Sequence, residues 1–576
     1  MTKKSNIVVL KFGSSVLRSE DDLPTVVHEI YRWWRDGAQV IAVVSAFGDT
    51  TDELMRRAEK ICGRHSKSVL PSLLATGEST SAALLTLALK KAGIAARLLD
   101  EVQAKLLTVS GSTDAVPVSV DVPKLVRESE RAVVVFPGFI GRNESGDKTV
   151  LGRGGSDLTA LFLAHKLQAR CVLIKDVDGL YTGDPGSGVS HLSRFTHASY
   201  DTTIRLGGRV VQLKAARFAA AHKVPFSIRS IGAQDATEVG SFADRVSVEN
   251  ASAEPLRVAL LGCGTVGGGV FERIKALPNL FTLTGVGTRT GQRARAASVP
   301  DTLITSDLEG LIEEPCDVVV ELIGGLDRAA SLTERSLRLG RTVVTANKAL
   351  IAQLGDLLEH FTRDDKSTFQ YSAAVGGCMP AIETARRAKE SGPLRSISGV
   401  LNGTCNFVID QMATGSSFDD AVRQAQTAGY AEANPDLDID GIDAAQKLVL
   451  LARVAFDIRL PLQLISLEGI RGLNTERIRG AHERGRIVRL VAQCRKTSTG
   501  LVEASVGPIE LTFDHPLAQV YGIENRLVVE PEIGEPIVTS GAGAGRWPTT
   551  EAVMADLLDI AVTRLAREPK GLEACA

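Results

Sequence analysis

A glycine-rich turn, GCGTVG at 262–267, lies between an apolar run at 256–261 and a helical pattern, and no other feature of the chain constrains its fold as strongly. Gly262, Gly264 and Gly267 permit a tight turn, while Thr265 and Val266 open the helix whose N-terminus can face a pyrophosphate. Alone the pattern is weak; between a strand and a helix it predicts a dinucleotide site on a parallel sheet. A second phosphate-type set lies upstream, KFGSS at 11–15 with LGRGGSD at 151–157. Two phosphate loops of different kinds predict two enzymes fused end to end.

At 576 residues the chain exceeds one ordinary core, and its 44% hydrophobic and 23% charged residues suit globular domains. The net charge of −2 provides no basic footprint for nucleic acid. Eight cysteines are scattered without a C-x-x-C pair or a metal-ligand spacing, so reduced thiols and a cytoplasmic location are expected. The apolar run before Lys11 is too short for a signal-peptide core, and no uninterrupted apolar run is long enough to span a membrane.

Short β-branched runs at 7–10, 40–45, 133–136, 171–174 and 225–228 alternate with helical patterns, which predicts a mostly parallel sheet between helices over 1–231. Small and polar residues then predict a linker at 232–255. Strand, glycine turn, helix and strand follow in the order of a Rossmann nucleotide-binding domain, placed at 256–373 with its first helix at 270–276. A different rhythm marks an α+β domain at 374–540, and 541–576 is expected to return to the nucleotide-binding domain.

In the first half, Lys11 ends a strand and is followed by Gly13, Ser14 and Ser15, so an ammonium and backbone N–H groups converge where a phosphate can sit. Arg153, Ser156 and Asp157 join them from LGRGGSD. Phosphoryl transfer asks a protein mainly for positioning and a cationic clamp. With SAFGDTTDEL at 45–54, ATGES at 75–79, FPGFIG at 136–141, KDVDGLYTGDP at 175–185 and GGRVVQLKA at 207–215, this order resembles the catalytic domain of aspartate kinases, of the amino acid kinase fold. The resemblance implies that Lys11 contacts the transferring phosphoryl group and Asp157 orients it. It implies that Ser45, Thr51, Glu78, Arg153 and Ser156 hold aspartate, and that Gly13, Ser14, Ser15, Lys175, Asp176, Tyr181 and Arg209 bind ATP, with Mg²⁺. Against the family's KFGGTSV the loop is one residue shorter, and its KFGSS form also resembles glutamate 5-kinase. Only about 25 residues separate the two halves, so no paired ACT regulatory domains are expected there, nor one at the C-terminus. Allosteric inhibition by threonine or lysine is accordingly not expected.

In the second half, Arg289 stands where NAD binders commonly place an acid for the ribose 2′-hydroxyl, which favours NADP(H) over NAD(H). VVVELIGG at 318–325 and TANK at 345–348 lead from strands to turns at the edge where open α/β sheets bind ligands. Asp443 and Lys447, four apart on a helical pattern, share a face; the flanking LVLLARVAF argues that this face is buried. Together with AAVGG at 373–377, LNGTCNF at 401–407, GYAEANPDLDIDGIDAAQKL at 429–448 and GAGAG at 541–545, the set resembles homoserine dehydrogenases. By that resemblance Lys447 donates a proton, Lys348 lies between nicotinamide and substrate, Glu432, Asp443 and Gly429 bind the amino acid, and Ile323, Gly324 and Gly545 contact the cofactor. It also implies a sodium ion on the backbone carbonyls of Val375, Gly377 and Met379, although the family's acidic ligand is Ser372 here.

The combined expectation is a bifunctional enzyme of threonine and methionine biosynthesis. It would phosphorylate L-aspartate with ATP and interconvert L-aspartate 4-semialdehyde and L-homoserine, as a homo-oligomer. The shortened loop motivates an alternative in which the first half is a non-catalytic module or phosphorylates glutamate.

Overall fold

The computed structural model describes residues 6–62, 69–183, 192–206, 208, 210–233, 235–247, 254–362, 368–497 and 501–567. The chain divides into two compact units, one built mainly from residues up to Glu254 and the other mainly from Pro255–Leu557.

Among the described residues the first unit holds a nine-stranded sheet. Within it Ile7–Phe12, buried along its whole length, is flanked in parallel by Gln39–Val44 and Arg170–Lys175. Val133–Pro137 and Ala96–Leu98 continue the sheet on one side, Phe226–Ser230 on the other. Near-continuous apolar strands of this kind require cover on both faces. The helix Gly155–Leu167 is correspondingly buried almost throughout. The expected linker begins later than its composition suggests: Thr237–Gly240 and Arg245–Val246 pair with Phe195–Ser199 and extend this sheet. Thr237–Gly240 lies inside the sheet, between Phe195–Ser199 and Phe226–Ser230, and is too short for its pattern to stand out, whereas Arg245–Val246 is the exposed edge strand. The helix Leu70–Lys91 is long and apolar enough to cross a membrane by length and composition, and half of its most apolar window is buried inside the protein.

In the second unit the strands Ile304–Thr305, Phe281–Gly287, Leu256–Leu261, Val318–Glu321, Thr342–Thr345 and Phe369–Gln370 lie side by side in that order, all parallel. Counted along the chain this is the order 3-2-1-4-5-6, with its switch point between Leu256–Leu261 and Val318–Glu321. The first helix starts at Thr265 rather than 270, so the phosphate turn runs straight into it. A largely antiparallel six-stranded sheet follows, ordered Ser466–Leu467, Val502–Thr512, Arg486–Lys496, Leu394–Val400, Glu524–Pro531 and Ile537–Ala542. The helix Ile442–Phe456 joins both sheets in one apolar core, and its first turns carry Asp443 and Lys447 into the protein.

Candidate active sites

In the first unit Lys11 stands at the buried end of its strand, and its ammonium occupies the space beside Gly13. A Cβ on Gly13 would lie 2.6 Å from Lys11 Nζ, so a side chain there would displace the ammonium from its place. Lys11 Nζ pairs with Asp157 Oδ1 at 2.7 Å, and Lys175 Nζ donates to Asp157 Oδ1 at 3.1 Å and Oδ2 at 2.9 Å. Burial would favour the neutral acid, but the two ammoniums overcome it and lower the Asp157 pKa to about 2. Burial dominates at Lys11, whose pKa falls to about 8 despite the stabilising Asp157 charge, with Lys175 adding repulsion. Three buried groups therefore carry two positive charges and one negative, an arrangement that favours an incoming anion.

Glu78 projects from Leu70–Lys91 toward this cluster. Burial raises its pKa to about 7, opposed by the Ala46 backbone N–H and the Lys11 charge. Its Oε2 is buried without a hydrogen-bond partner among the described residues. Ser156 is buried beside Asp157 on the same helix, and the Ser45 carbonyl accepts a hydrogen bond from Ser81 Oγ at 2.7 Å. Thr51 is half-buried in the helix Thr50–Cys62, whereas Ser14, Ser15, Arg153 and Asp176 are exposed. The Tyr181 hydroxyl donates to Asp178 Oδ1 at 2.6 Å, and burial with that carboxylate raises its pKa to about 12. Arg209 lies outside the described residues. Lys175, expected at the nucleotide, thus also completes the charge cluster around Asp157.

In the second unit Gly262 adopts φ +101°, and a Cβ on Gly267 would stand 2.0 Å from the Gly262 carbonyl oxygen. The helix can approach the turn this closely only with glycine at 267. Gly264 caps that helix; Thr265 is exposed and Val266 half-buried. Arg289 is exposed beyond the second strand. A second cation, Arg293, was not singled out from the sequence: its Nη1 lies 3.8 Å from the position of a Cβ on Gly264. The C-terminal helix Arg546–Arg567 packs here too, because a Cβ on Gly269 would meet Thr550 Oγ1 at 2.4 Å. Gly545, with φ +124°, immediately precedes it.

Farther along the same sheet edge, Lys348 and Lys447 both meet Asp443. Lys348 Nζ pairs with Asp443 Oδ1, and Lys447 Nζ lies 2.9 Å from Oδ2. Burial opposes the Asp443 charge, yet Lys447 and Lys348 hold it well below the usual carboxylate range. Burial also opposes the Lys348 ammonium, but Asp443 prevails and raises its pKa, with smaller contributions from Asp438 and Glu432. Lys447 donates to the Leu401 carbonyl at 2.6 Å, and Asn525 Nδ2 donates to the same oxygen at 2.8 Å. Asn402 Nδ2 reaches Asp443 Oδ2 at 2.9 Å and Asp438 Oδ1 at 2.7 Å, while its Oδ1 caps the helix Gly403–Ala413 at Cys405.

The expected pair Asp443–Lys447 is therefore buried and joined by Lys348. Glu432 and Gly429 lie in an exposed loop, tied down where Thr404 Oγ1 donates to the Tyr430 carbonyl at 2.7 Å. Asn402 and Asn525 were legible only as members of motifs or strands. Val375, Gly377 and Met379 lie in a buried turn whose Met379 carbonyl accepts the Ala381 N–H at 2.7 Å. No cluster of three or more His, Cys, Asp or Glu suited to a metal occurs among the described residues. Ile323 and Gly324 form the turn beyond Val318–Glu321.

Comparison with known proteins finds family matches in both halves of the chain. Residues 6–230 match the amino acid kinase family, 262–371 the homoserine dehydrogenase NAD binding domain, and 380–558 the homoserine dehydrogenase family. The homoserine dehydrogenase of Synechocystis is 34% identical over 316 residues, which cover 53% of this chain and 73% of that protein. That of Corynebacterium glutamicum is 35% identical over 322 residues, covering 53% and 71%. The crystal structure of a homoserine dehydrogenase from Thiobacillus denitrificans superposes with a TM-score of 0.51 at 34% identity, covering 55% of this chain and 76% of its own. With an amino acid kinase domain ahead of the nucleotide-binding sheet, the chain belongs to the homoserine dehydrogenase family.

Proposed function

We propose that the protein is bifunctional, phosphorylating L-aspartate to 4-phospho-L-aspartate and interconverting L-aspartate 4-semialdehyde and L-homoserine. The observation that carries both halves is a buried aspartate held between two lysines, Asp157 in the first unit and Asp443 in the second.

In the dehydrogenase a nicotinamide cofactor, when bound on the 262–267 turn, would supply the hydride for the aldehyde carbon. Lys447, fixed by Asp443 and the Leu401 carbonyl, delivers a proton to the aldehyde oxygen as charge develops there. Glu432 and Asp438, whose charges already act on Lys348, supply negative potential for the substrate's ammonium group. Arg289, with Arg293 beside the phosphate loop, supports NADP(H) over NAD(H) by offering cations to a 2′-phosphate. For sodium, the carbonyls of Val375, Gly377 and Met379 are suitable hard ligands; Ser372 adds no charge, so binding is expected to be weak.

In the kinase, Lys11 and Lys175 would face the phosphates of ATP, with Mg²⁺ accompanying the nucleotide, while Asp157 keeps both ammoniums in place. Glu78 and Arg153 are suited to the amino and carboxylate groups of aspartate. Retention of the buried Lys11–Asp157–Lys175 cluster supports catalysis over a purely structural role for this unit, since an unused buried charge cluster is costly. The exposed Ile537 and Val538 on the edge strand Ile537–Ala542 support self-association through the antiparallel sheet.

The test is a pair of assays on the full chain: ADP release with aspartate or glutamate, and homoserine-dependent reduction of NADP⁺ and NAD⁺. Both activities are expected, the first with aspartate. Active dehydrogenase without turnover of either amino acid would overturn the kinase assignment, and turnover of glutamate alone would replace its substrate.

A further inference from the structure

Glu321 ends the strand Val318–Glu321 with its side chain fully buried, and neither hydride nor proton transfer uses it. A buried carboxyl without bonding partners would be strongly destabilising. Glu321 has several, all neutral: burial raises its pKa, opposed by hydrogen bonds from Thr345, Gly324, Ile323 and Asn347. Oε1 accepts the backbone N–H of Ile323 at 3.0 Å and that of Gly324 at 3.2 Å. Oε2 accepts from Thr345 Oγ1 at 2.6 Å.

The bonding continues toward the substrate. Thr345 Oγ1 accepts the Asn347 N–H at 3.0 Å, and Asn347 Nδ2 donates to the Gly325 carbonyl at 2.7 Å. Asn347 Oδ1 accepts the Leu350 N–H at 3.2 Å and caps the helix Lys348–His360, whose first residue is Lys348. One carboxylate therefore closes a ring of hydrogen bonds around two turns on neighbouring strands, where Glu321 and Thr345 are register partners. Gly324 and Gly325, at φ +67° and +75°, have no Cβ to restrain their conformation. The shape of that turn consequently depends on hydrogen bonds from outside it.

We propose that Glu321 is a positioning residue for the nicotinamide end of the cofactor, fixing the Ile323–Gly324 turn and the Lys348 helix start in one geometry. This inference rests on the dehydrogenase reading above. Glutamine at 321 preserves most of the arrangement, because its carbonyl oxygen accepts both amides and its NH₂ donates to Thr345 Oγ1. Alanine removes every one of these bonds.

The test uses the full chain with E321A, E321Q and, as a second route to the same ring, N347A. NADPH affinity is read from nicotinamide fluorescence, amide hydrogen exchange from the turn 322–325 and helix start 345–350, and KM for NADP⁺ and homoserine from steady-state assays. E321A is expected to weaken NADPH binding by about tenfold and raise KM for NADP⁺ more than for homoserine, while speeding exchange at both segments. E321Q is expected to stay within about twofold of the parent, and N347A to fall between them. If E321A does not fold, E321Q and N347A carry the test. Parent-like NADPH affinity in E321A or N347A despite faster exchange would overturn the proposal, as would E321Q binding as weakly as E321A. A parent protein that binds neither NADPH nor NADH would instead break the dehydrogenase reading.

Discussion

The two units solve a similar electrostatic problem differently. Each holds an aspartate between two lysines, but Asp157, Lys11 and Lys175 are all deeply buried, whereas Lys348 keeps 38% of its side chain in solvent beside the buried Asp443. In the first unit desolvation prevails at one lysine, and the Lys11 pKa drops to about 8. In the second, the Asp443 charge prevails over burial at Lys348, whose pKa is raised. Neutral groups also help the second cluster: Asn402 donates a hydrogen bond to Asp443, and the Leu401 carbonyl accepts one from Lys447. The same three residue types thus make an anion trap when sealed and a fixed proton donor when one side opens to solvent.

The largest expected effect comes from K447M, which should lower dehydrogenase kcat by about a thousandfold while leaving NADPH binding and kinase turnover near parental values. A loss below about tenfold would remove Lys447 from its role as proton donor. Matched D157A and D443A variants probe the contrast in burial. D157A strands two buried ammoniums and should destabilise its unit by about 3–5 kcal/mol in chemical denaturation. D443A should cost about 1–2 kcal/mol, since Lys348 can turn to water and Lys447 keeps the Leu401 carbonyl. Equal losses would show that exposure does not distinguish the clusters.

Glu78 gives an effect that appears only over part of the pH range. Its folded pKa of about 7 exceeds the ordinary value of 4.5, so the folded protein binds this proton more tightly and loses stability as pH rises through that interval. E78Q should remove the slope, gaining up to about 3 kcal/mol over the parent above pH 7, measured by denaturation between pH 5 and 8. A parallel pH dependence in both proteins would contradict the buried, proton-holding carboxyl. The smallest expected effect is kinetic. Because Lys11 in the free protein loses its proton near pH 8, kinase kcat/KM for ATP should fall by about tenfold per pH unit at higher pH. K11R, whose guanidinium stays charged, should lack that limb even at reduced activity.

Short-range relations were readable from the sequence. Asp443 and Lys447 are one helical turn apart, and the GCGTVG turn has its strand and helix adjacent, so local periodicity revealed both. Lys348 is joined to Asp443 across 95 residues, a contact no spacing encodes. Arg293 escaped notice because a cation on a short helix has no distinguishing pattern, and Glu321 was hidden in an otherwise apolar run. The expected linker overlaps strands at 237–246 for a different reason: Thr237–Gly240 is only four residues long and Arg245–Val246 is an exposed two-residue edge, so neither has enough apolar patterning to be told from coil by composition. Arg153 and Glu432 occupy exposed loops, whose final geometry depends on substrate as much as on packing.

The shared Leu401 carbonyl has a consequence for timing. An ammonium is a three-pronged rotor, and a free lysine must freeze its rotation and several chain torsions before any one N–H points at a reacting atom. At Lys447 the prongs toward Asp443 and Leu401 are already occupied, leaving a single direction for the third. The entropy of aiming the proton is lost when the chain folds rather than afresh at each turnover.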